Sequence, residues 1–545
     1  MLRRPFSAGK HVHRCARGRP PGALRRLAGG ENALSGAECG IGAATETPPT
    51  LSSLGPAHVA DARKGLPVLF PTIDFAIFFA IVFVANWLLA SFRTPWKLMM
   101  ILASYVFYAW FDWHDIFLLM AATLIAAAGG RLVARSSSDR SRRVLLALSV
   151  AGELGMLVWF KYAQFFTLSG DNLLRALGVH GQPLPIIAAV EPVGLSFFAF
   201  MAISYVADIY RRRLEPAPLI DVATFLSFFP HLAAGPIVRG SELLPQIARA
   251  EHRDPRRIDL PEAAYLVFSG LFKKVVISSY VSAAIVDPVY NSPSVHSAPE
   301  ILLATYGYAV QIYMDFSGYT DIAIGCAMLL GFRFPQNFDI PYTARSLQEF
   351  WRRWHMTLSF WLRDYLYVPL GGSRGSRSAL YRNLMLTMVL GGLWHGAGWT
   401  FVAWGALHGV GQCVGHFRRA RRVARGQSAQ AEGRLAVAWQ RFATFQFVCL
   451  GWLFFRAGNF EIAFTLLRRL VTDWSGPAPL VRLPVVLAIA GALGLQYLPS
   501  GLPRALKDGF ARLGTVAKGL SLGGALLTIT TLGPIGVAPF IYFRF

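Results

Sequence analysis

Three histidines, His355, His395 and His408, lie among tryptophans, arginines and glycines in the stretch 347–409. A histidine side chain titrates near neutral pH, so each is a candidate general base or acid. His395 follows the apolar run 384–394, and an ionisable group at membrane depth is costly enough to suggest function. A single buried histidine can equally be a packing residue. His408 favours that interpretation, because Gly405 and Gly409 beside it would let helices approach closely.

The same stretch contains a group of cationic side chains that is predicted to lie at the inner membrane face. Arginine suits bidentate contacts to phosphate, so the group could bind a phosphorylated donor. Contact with lipid head groups is the alternative. The group consists of Arg345, Arg352, Arg353, Arg363, Arg374 and Arg377.

Two aspartates, Asp315 and Asp321, lie inside the apolar run 301–332. Carboxylates at that depth must be paired or solvated. They could orient a histidine or line a tunnel for the acceptor, or each could close a buried ion pair with an arginine. The sequence does not separate these alternatives.

The composition predicts the elements that must position these residues. The chain has 545 residues, of which 54% are hydrophobic and 15% are charged. Soluble domains carry about 25% charged residues, and many apolar runs approach the twenty residues that span a bilayer. We expect an all-α polytopic membrane protein with about 11–13 transmembrane helices. Re-entrant and amphipathic helices would complete a pore-like core.

The formal net charge of +23 does not favour nucleic acid as a partner, because the basic residues cluster between apolar runs. Their positions are those expected of cytoplasmic loops. Loop charges place His355 nearer the inner face and His395 deep, towards the outer half. The broken apolar stretch 225–238 and the arginine-rich stretch 333–382 are predicted to contain re-entrant or amphipathic helices. The five cysteines suggest neither disulfides nor a metal site.

Residues 1–66 differ from the remainder, since they are basic and rich in glycine and proline and have no long apolar run. We interpret them as a disordered extension, ahead of one membrane domain at 67–545. We hypothesise that the native chain starts near Val68, which would explain this difference.

Several sequence motifs carry a resemblance to a known family. In the central stretch they are FWRRWH (350–355), WLRDYL (361–366), PLGG (369–372), GGLWHG (391–396) and HG (408–409). Elsewhere they are PVGLSFF (192–198), AGPIVR (234–239), MDFSGYTD (314–321), FPQNF (334–338) and FIYFRF (540–545). Over roughly 68–545 the chain resembles the membrane-bound O-acyltransferase family, and within it the branch of the alginate O-acetyltransferase membrane subunit.

The resemblance implies a role for several residues. His395, in the Trp-His-Gly motif with Trp394, would be the catalytic base that deprotonates an acceptor hydroxyl. His355 would be a second catalytic residue that orients the donor or stabilises the oxyanion. It could instead be a structural histidine between tryptophans. Asp315, Asp321, Trp394 and His408 would orient groups or line the tunnel.

The resemblance also implies substrates, partners and a location. Acetyl-coenzyme A on the cytoplasmic side is the expected donor, and no tightly bound cofactor is expected. The acceptor would be a hydroxyl of an extracytoplasmic polysaccharide such as an alginate-like exopolysaccharide. A periplasmic acetyltransferase subunit would be the partner of this multi-pass protein of the bacterial inner membrane. The rival functions are D-alanylation of teichoic acid and polysaccharide transport, with the aspartates as relay groups.

Overall fold

The computed structural model describes residues 70–541 apart from 180–183, 186, 188, 234, 429–431, 500 and 535–539. The predicted extension at residues 1–66 lies outside the described residues, as does the proposed start near Val68. These two predictions therefore stay predictions.

Four helices open the described chain. They are α1 (Ile73–Leu88), α2 (Arg93–Ala109), α3 (Asp115–Arg135) and α4 (Asp139–Ala176). Helix α4 is longer than the predicted span at 144–162, because the π-helical turn Val158–Tyr162 continues it instead of ending it. Such π-turns inserted in an α-helix often mark functional sites.

Helix α5 (Leu195–Tyr210) is buried along nearly its whole length. It begins after Gly194, which has a φ of 76°, and a Cβ there would lie 2.3 Å from the Leu232 carbonyl oxygen. Glycine is therefore required at this close approach. The next segment is broken, as predicted, into α6 (Leu219–Ser227), the turn Phe229–Leu232 and α7 (Gly240–Ala248).

Two long helices, α8 (Leu260–Asn291) and α9 (Ala298–Leu329), pack against each other in the core. Gly270 and Gly318 face each other at their crossing, where a Cβ on Gly318 would lie 2.7 Å from the Gly270 carbonyl oxygen. Small residues at such crossings let two membrane helices approach closely. This contact places the lysines of α8 beside the aspartates of α9.

The histidine-bearing stretch forms short helices followed by longer ones. They are α10 (Leu347–Arg353), α11 (Met356–Leu362), α12 (Arg377–His395), α13 (Trp399–Ala424) and α14 (Arg434–Arg456). The short helices agree with the prediction for 333–382. Helices α12 and α13 pack so closely that a Cβ on Gly405 would lie 2.4 Å from the Met388 carbonyl oxygen.

The last elements are α15 (Phe460–Thr472), α16 (Leu483–Gly494), α17 (Gly501–Arg512) and α18 (Thr515–Leu532). Helix α18 starts and stops earlier in the chain than the predicted span at 520–541, with which it overlaps. Gly533 and Pro534 follow its end. Proline has no amide hydrogen and resists continuation of a helix. Beyond this turn Phe540 and Ile541 are buried in the core.

Within the described residues, four helices are long and apolar enough to cross a membrane, and a bent pair would make a fifth. The four are α3, α4, α8 and α18, and the pair is α16 with α17. Helices α9, α12, α13 and α14 are also long but carry more polar residues. The described chain contains helices and no strand, which confirms the all-α polytopic class. The number of spans, 11–13, stays a prediction.

Candidate active site

His395 is the last residue of α12, where the chain turns through Gly396 into α13. A Cβ on Gly396 would lie 2.2 Å from the Phe401 ring, so glycine permits this turn. The histidine is buried, and its ring centroid lies 5.1 Å from that of Trp404 and 5.2 Å from that of Phe455. The aromatic cage fixes the direction in which the imidazole points.

A cavity of about 610 Å³ reaches His395 from the side of the short helices. Its wall includes Trp351, Arg352, Arg363, Met388, His395 and Trp404. Cavities of this size accommodate most of a small ligand. The structure thus combines one catalytic candidate and two of the predicted donor-binding arginines on one wall.

His355 is fully buried and has the left-handed backbone conformation at the start of α11, with a φ of 41°. A non-glycine residue in that region costs about 1–3 kcal/mol, and such strain is concentrated at functional sites. Its Nδ1 lies 3.1 Å from Asn337 Oδ1. In the described part of the chain, the buried Nε2 has no hydrogen-bond partner. The ring centroids of His355 and His395 are 6.4 Å apart.

His408 and Trp394 do not line the cavity. Trp351 Nε1 donates to His408 Nδ1 at 3.3 Å, and a Cβ on Gly451 would lie 2.8 Å from His408 Nε2. His408 therefore occupies a tight helix crossing, which agrees with the packing interpretation. Trp394 Nε1 donates to the Ser196 carbonyl oxygen at 3.4 Å and ties the end of α12 to α5.

The predicted arginine group divides into two sets. Arg352 and Arg363 line the cavity, whereas Arg345, Arg353, Arg374 and Arg377 do not. Arg353 pairs with Glu349 at 3.0 Å, and Arg345 Nε donates to Gln440 Oε1 at 3.0 Å. Both of these side chains stabilise loops and helix ends around the site.

Arg363 is held in place by its neighbour Asp364, with hydrogen bonds of 2.6 and 3.0 Å. Burial would raise the pKa of Asp364, but hydrogen bonds from Arg363 and Arg239 outweigh it and lower that pKa. The carboxylate therefore stays charged at neutral pH and fixes the guanidinium at the cavity mouth.

Asp315 and Asp321 form ion pairs away from the cavity. Asp315 pairs with Lys274 and also accepts from Ser278 Oγ at 3.2 Å and from the Ile541 amide at 3.0 Å. Asp321 pairs with Lys273 at 2.5 Å. Both aspartates therefore form ion pairs, but their partners are lysines and not the predicted arginines. Because α8 and α9 cross closely, the lysines of α8 reach the aspartates, and Lys274 is buried.

Sequence analysis missed three residues next to the histidines. Asn337 and Thr357 contact the His355 side of the site. On the His395 side, Lys161 Nζ donates to Glu191 Oε1 at 2.9 Å and to Ser196 Oγ at 3.2 Å in a partly buried cluster. The FPQNF motif contains Asn337 and was a usable signal. The described residues contain no group of three or more His, Cys, Asp or Glu side chains that could hold a metal.

Comparison with known proteins identifies the class. The profile of the membrane-bound O-acyltransferase family matches residues 96–455, which include all of the cavity and both central histidines. The chain therefore belongs to the membrane-bound O-acyltransferase family, and it is an O-acyltransferase.

Relatives within that family include several acetyl-transferring proteins. The chain is 39% identical to the probable alginate O-acetylase AlgI of Pseudomonas aeruginosa, over 73% of this chain and 74% of the relative. It is 36% identical to the peptidoglycan O-acetyltransferase of Helicobacter pylori, over 69% and 73% respectively. The teichoic acid D-alanyltransferase of Streptococcus thermophilus is more distant, with 27% identity over 50% and 70%.

Proposed function

We propose that this chain transfers an acetyl group from acetyl-coenzyme A, bound from the cytoplasmic side, to a hydroxyl of an extracytoplasmic polysaccharide. The observation that carries the proposal is the single cavity lined by Arg352, Arg363 and His395. It brings together two exposed arginines that can bind the donor's phosphates and a buried base for the reaction.

His395 acts as the general base. It takes the proton of the acceptor hydroxyl as the oxygen forms a bond to the thioester carbonyl carbon. The carbon–sulfur bond then breaks, and the imidazolium returns the proton to the departing thiolate. One ester and one free thiol are formed, and His395 is regenerated. A base positioned in this way contributes roughly 10²–10⁴ in rate.

The acceptor assignment rests on the relatives named for alginate and peptidoglycan, which are both polysaccharides outside the cytoplasm. Within this class we favour an alginate-like exopolysaccharide. The proposal includes a bacterial inner-membrane location and a periplasmic acetyltransferase partner, with direct transfer to the final sugar as the alternative to relay through that partner. Polysaccharide transport is disfavoured because both candidate relay aspartates, Asp315 and Asp321, are held in ion pairs with lysines.

The test compares His395→Ala with the unchanged chain in cells, at matched protein levels in the membrane. Ester-linked acetate on the exopolysaccharide should fall to the background of a strain that lacks the gene. His252→Ala is the control, because His252 is exposed and does not line the cavity, and it should leave acetylation unchanged. Full acetylation by His395→Ala would refute the role of His395 as the base. Unchanged acetate in the strain that lacks the gene would refute this function, and ester-linked alanine in place of acetate would indicate D-alanyl transfer.

A further inference from the structure

A buried amide contacts the second histidine. Asn337 Oδ1 lies 3.1 Å from His355 Nδ1, 3.2 Å from the Thr357 amide nitrogen and 2.9 Å from Thr357 Oγ1. All three side chains are buried. None of these three residues lines the cavity that leads to His395, so the contact is separate from the donor-binding cavity of the proposed function.

Backbone groups fix the orientation of this amide. The Thr357 backbone N–H can only donate, so the Asn337 atom that faces it must be the oxygen. The Ile237 backbone N–H donates to Thr357 Oγ1 at 3.1 Å. The Thr357 hydroxyl is therefore free to direct its own hydrogen to the same amide oxygen. The arrangement does not depend on an arbitrary choice between the amide nitrogen and oxygen.

The oriented amide in turn fixes the tautomer of His355. A carbonyl oxygen only accepts, so the Nδ1 that faces it must carry a hydrogen. A neutral imidazole with hydrogen on Nδ1 has a bare lone pair on Nε2. That Nε2 is the atom for which the described part of the chain supplies no partner. A buried acceptor without a partner costs about 1–3 kcal/mol, which an entering hydrogen-bond donor would recover.

We propose that Asn337 is the positioning residue that holds His355 with its hydrogen on Nδ1, so that Nε2 accepts a hydrogen bond from a second hydroxyl of the incoming acceptor, not the one that His395 deprotonates. The proposal rests on the proposed function for the identity of that hydroxyl. This role of His355 replaces the oxyanion stabilisation that was expected of it, because His355 in this tautomer has no N–H at Nε2 to donate. Transfer itself still proceeds through His395, whose ring centroid is 6.4 Å from that of His355.

The tautomer can be measured directly, without reference to activity. The full chain labelled with ¹⁵N-histidine and reconstituted in lipid would be studied by solid-state NMR. The His355 signals would be assigned as those missing from the His355→Gln spectrum. We expect a protonated Nδ1 and a bare Nε2. A protonated Nε2 with a bare Nδ1 overturns the proposal, whatever the activity of the protein.

Variants of Asn337 test its positioning role. Asn337→Asp keeps an oxygen acceptor, so it should retain kcat within about tenfold, whereas Asn337→Leu removes the acceptor. Loss of the correct tautomer in a catalytic triad costs up to about 10⁴ in kcat, and we expect a loss of about 10² or more for Asn337→Leu. The KM for acetyl-coenzyme A should not change in either variant. The assay is thiol release from acetyl-coenzyme A by purified full-length protein with acceptor oligosaccharide.

Asn86 provides the matched control for these variants. It is a buried amide whose oxygen accepts from Trp96 Nε1 and from Arg253 Nη1, both at 2.9 Å, and it contacts no histidine in the described chain. Asn86→Leu should lower the yield of folded protein without lowering kcat per folded molecule. Equal kcat for the Asp and Leu variants of Asn337 would refute the positioning role. Unchanged acetylation in a strain that lacks the gene would refute the proposed function and leave the NMR result intact.

Discussion

Two regions of this membrane domain bury ionisable side chains, and they satisfy them in opposite ways. Between α8 and α9, each aspartate is paired with a lysine, and Asp315 receives two further hydrogen bonds. Around the end of α12, histidines lie in an aromatic cage beside a cavity, and the buried His355 Nε2 has no partner in the described chain. We therefore expect an ionisable residue at membrane depth to be functional where both polar capacity and room for a ligand remain. It is structural where the protein consumes that capacity.

The largest effect that this comparison predicts is on the stability of the paired region. Asp315→Ala removes the carboxylate that pairs with the buried Lys274, and breaking a buried pair costs about 3–5 kcal/mol. We expect most of the protein to be lost from the membrane fraction. The molecules that do fold should keep their kcat, which thiol release per folded molecule would measure.

The double variant Asp315→Leu with Lys274→Met distinguishes a structural pair from a relay. Replacement of a buried pair by apolar residues is often neutral or stabilising, so folded yield should recover relative to Asp315→Ala. Acetylation should recover with it. A double variant that folds fully but transfers no acetate would give the ion pair a catalytic role and break the comparison.

The elements of the fold were predictable where the pattern of the sequence has only one physical solution. The broken helix after α5 followed from proline and glycine, and the all-helical class followed from apolar runs of bilayer length. Helix ends were less predictable, because the π-turn at Val158–Tyr162 extends α4 beyond its apolar run. Nothing in local composition signals a turn whose hydrogen bonds shift by one residue.

The site was predictable in its residue types but not in its pairings. The motif around His395 indicated the base, yet the sequence could not show that Arg352 and Arg363 share its cavity whereas Arg353 pairs with Glu349. Such choices depend on contacts between residues that are distant in the chain. The hydrogen bond between Tyr162 and the Leu393 carbonyl oxygen, across two helices, is of the same kind.

A smaller effect is expected at the cavity mouth. Arg352→Ala should remove one charge-assisted contact to the donor, and such contacts contribute about 1.5–3 kcal/mol. We expect the KM for acetyl-coenzyme A to rise about tenfold or more while kcat changes little, because a uniform binding interaction is lost.

The matched control for Arg352 is Arg377→Ala, which removes an exposed arginine that does not line the cavity. It should leave both constants unchanged. If the two variants raised the KM equally, the arginines would act as a diffuse positive field and the cavity mouth would not be a specific phosphate site. High salt would then abolish the difference from the unchanged chain.

The smallest effect is expected at His408, which shares the aromatic surroundings of His395 through Trp404. It is buried, its Nδ1 accepts a hydrogen bond from Trp351, and its Nε2, which has no partner in the described chain, is closed in by Gly451 at a helix crossing. Trp351→Phe removes that hydrogen bond, which is worth about 0.5–1.5 kcal/mol, and keeps most of the ring. The thermal midpoint of the purified protein should fall slightly, and kcat should stay within about twofold. A tenfold loss of kcat with an unchanged midpoint would give the pair of Trp351, which lines the cavity, and His408 a role in the reaction.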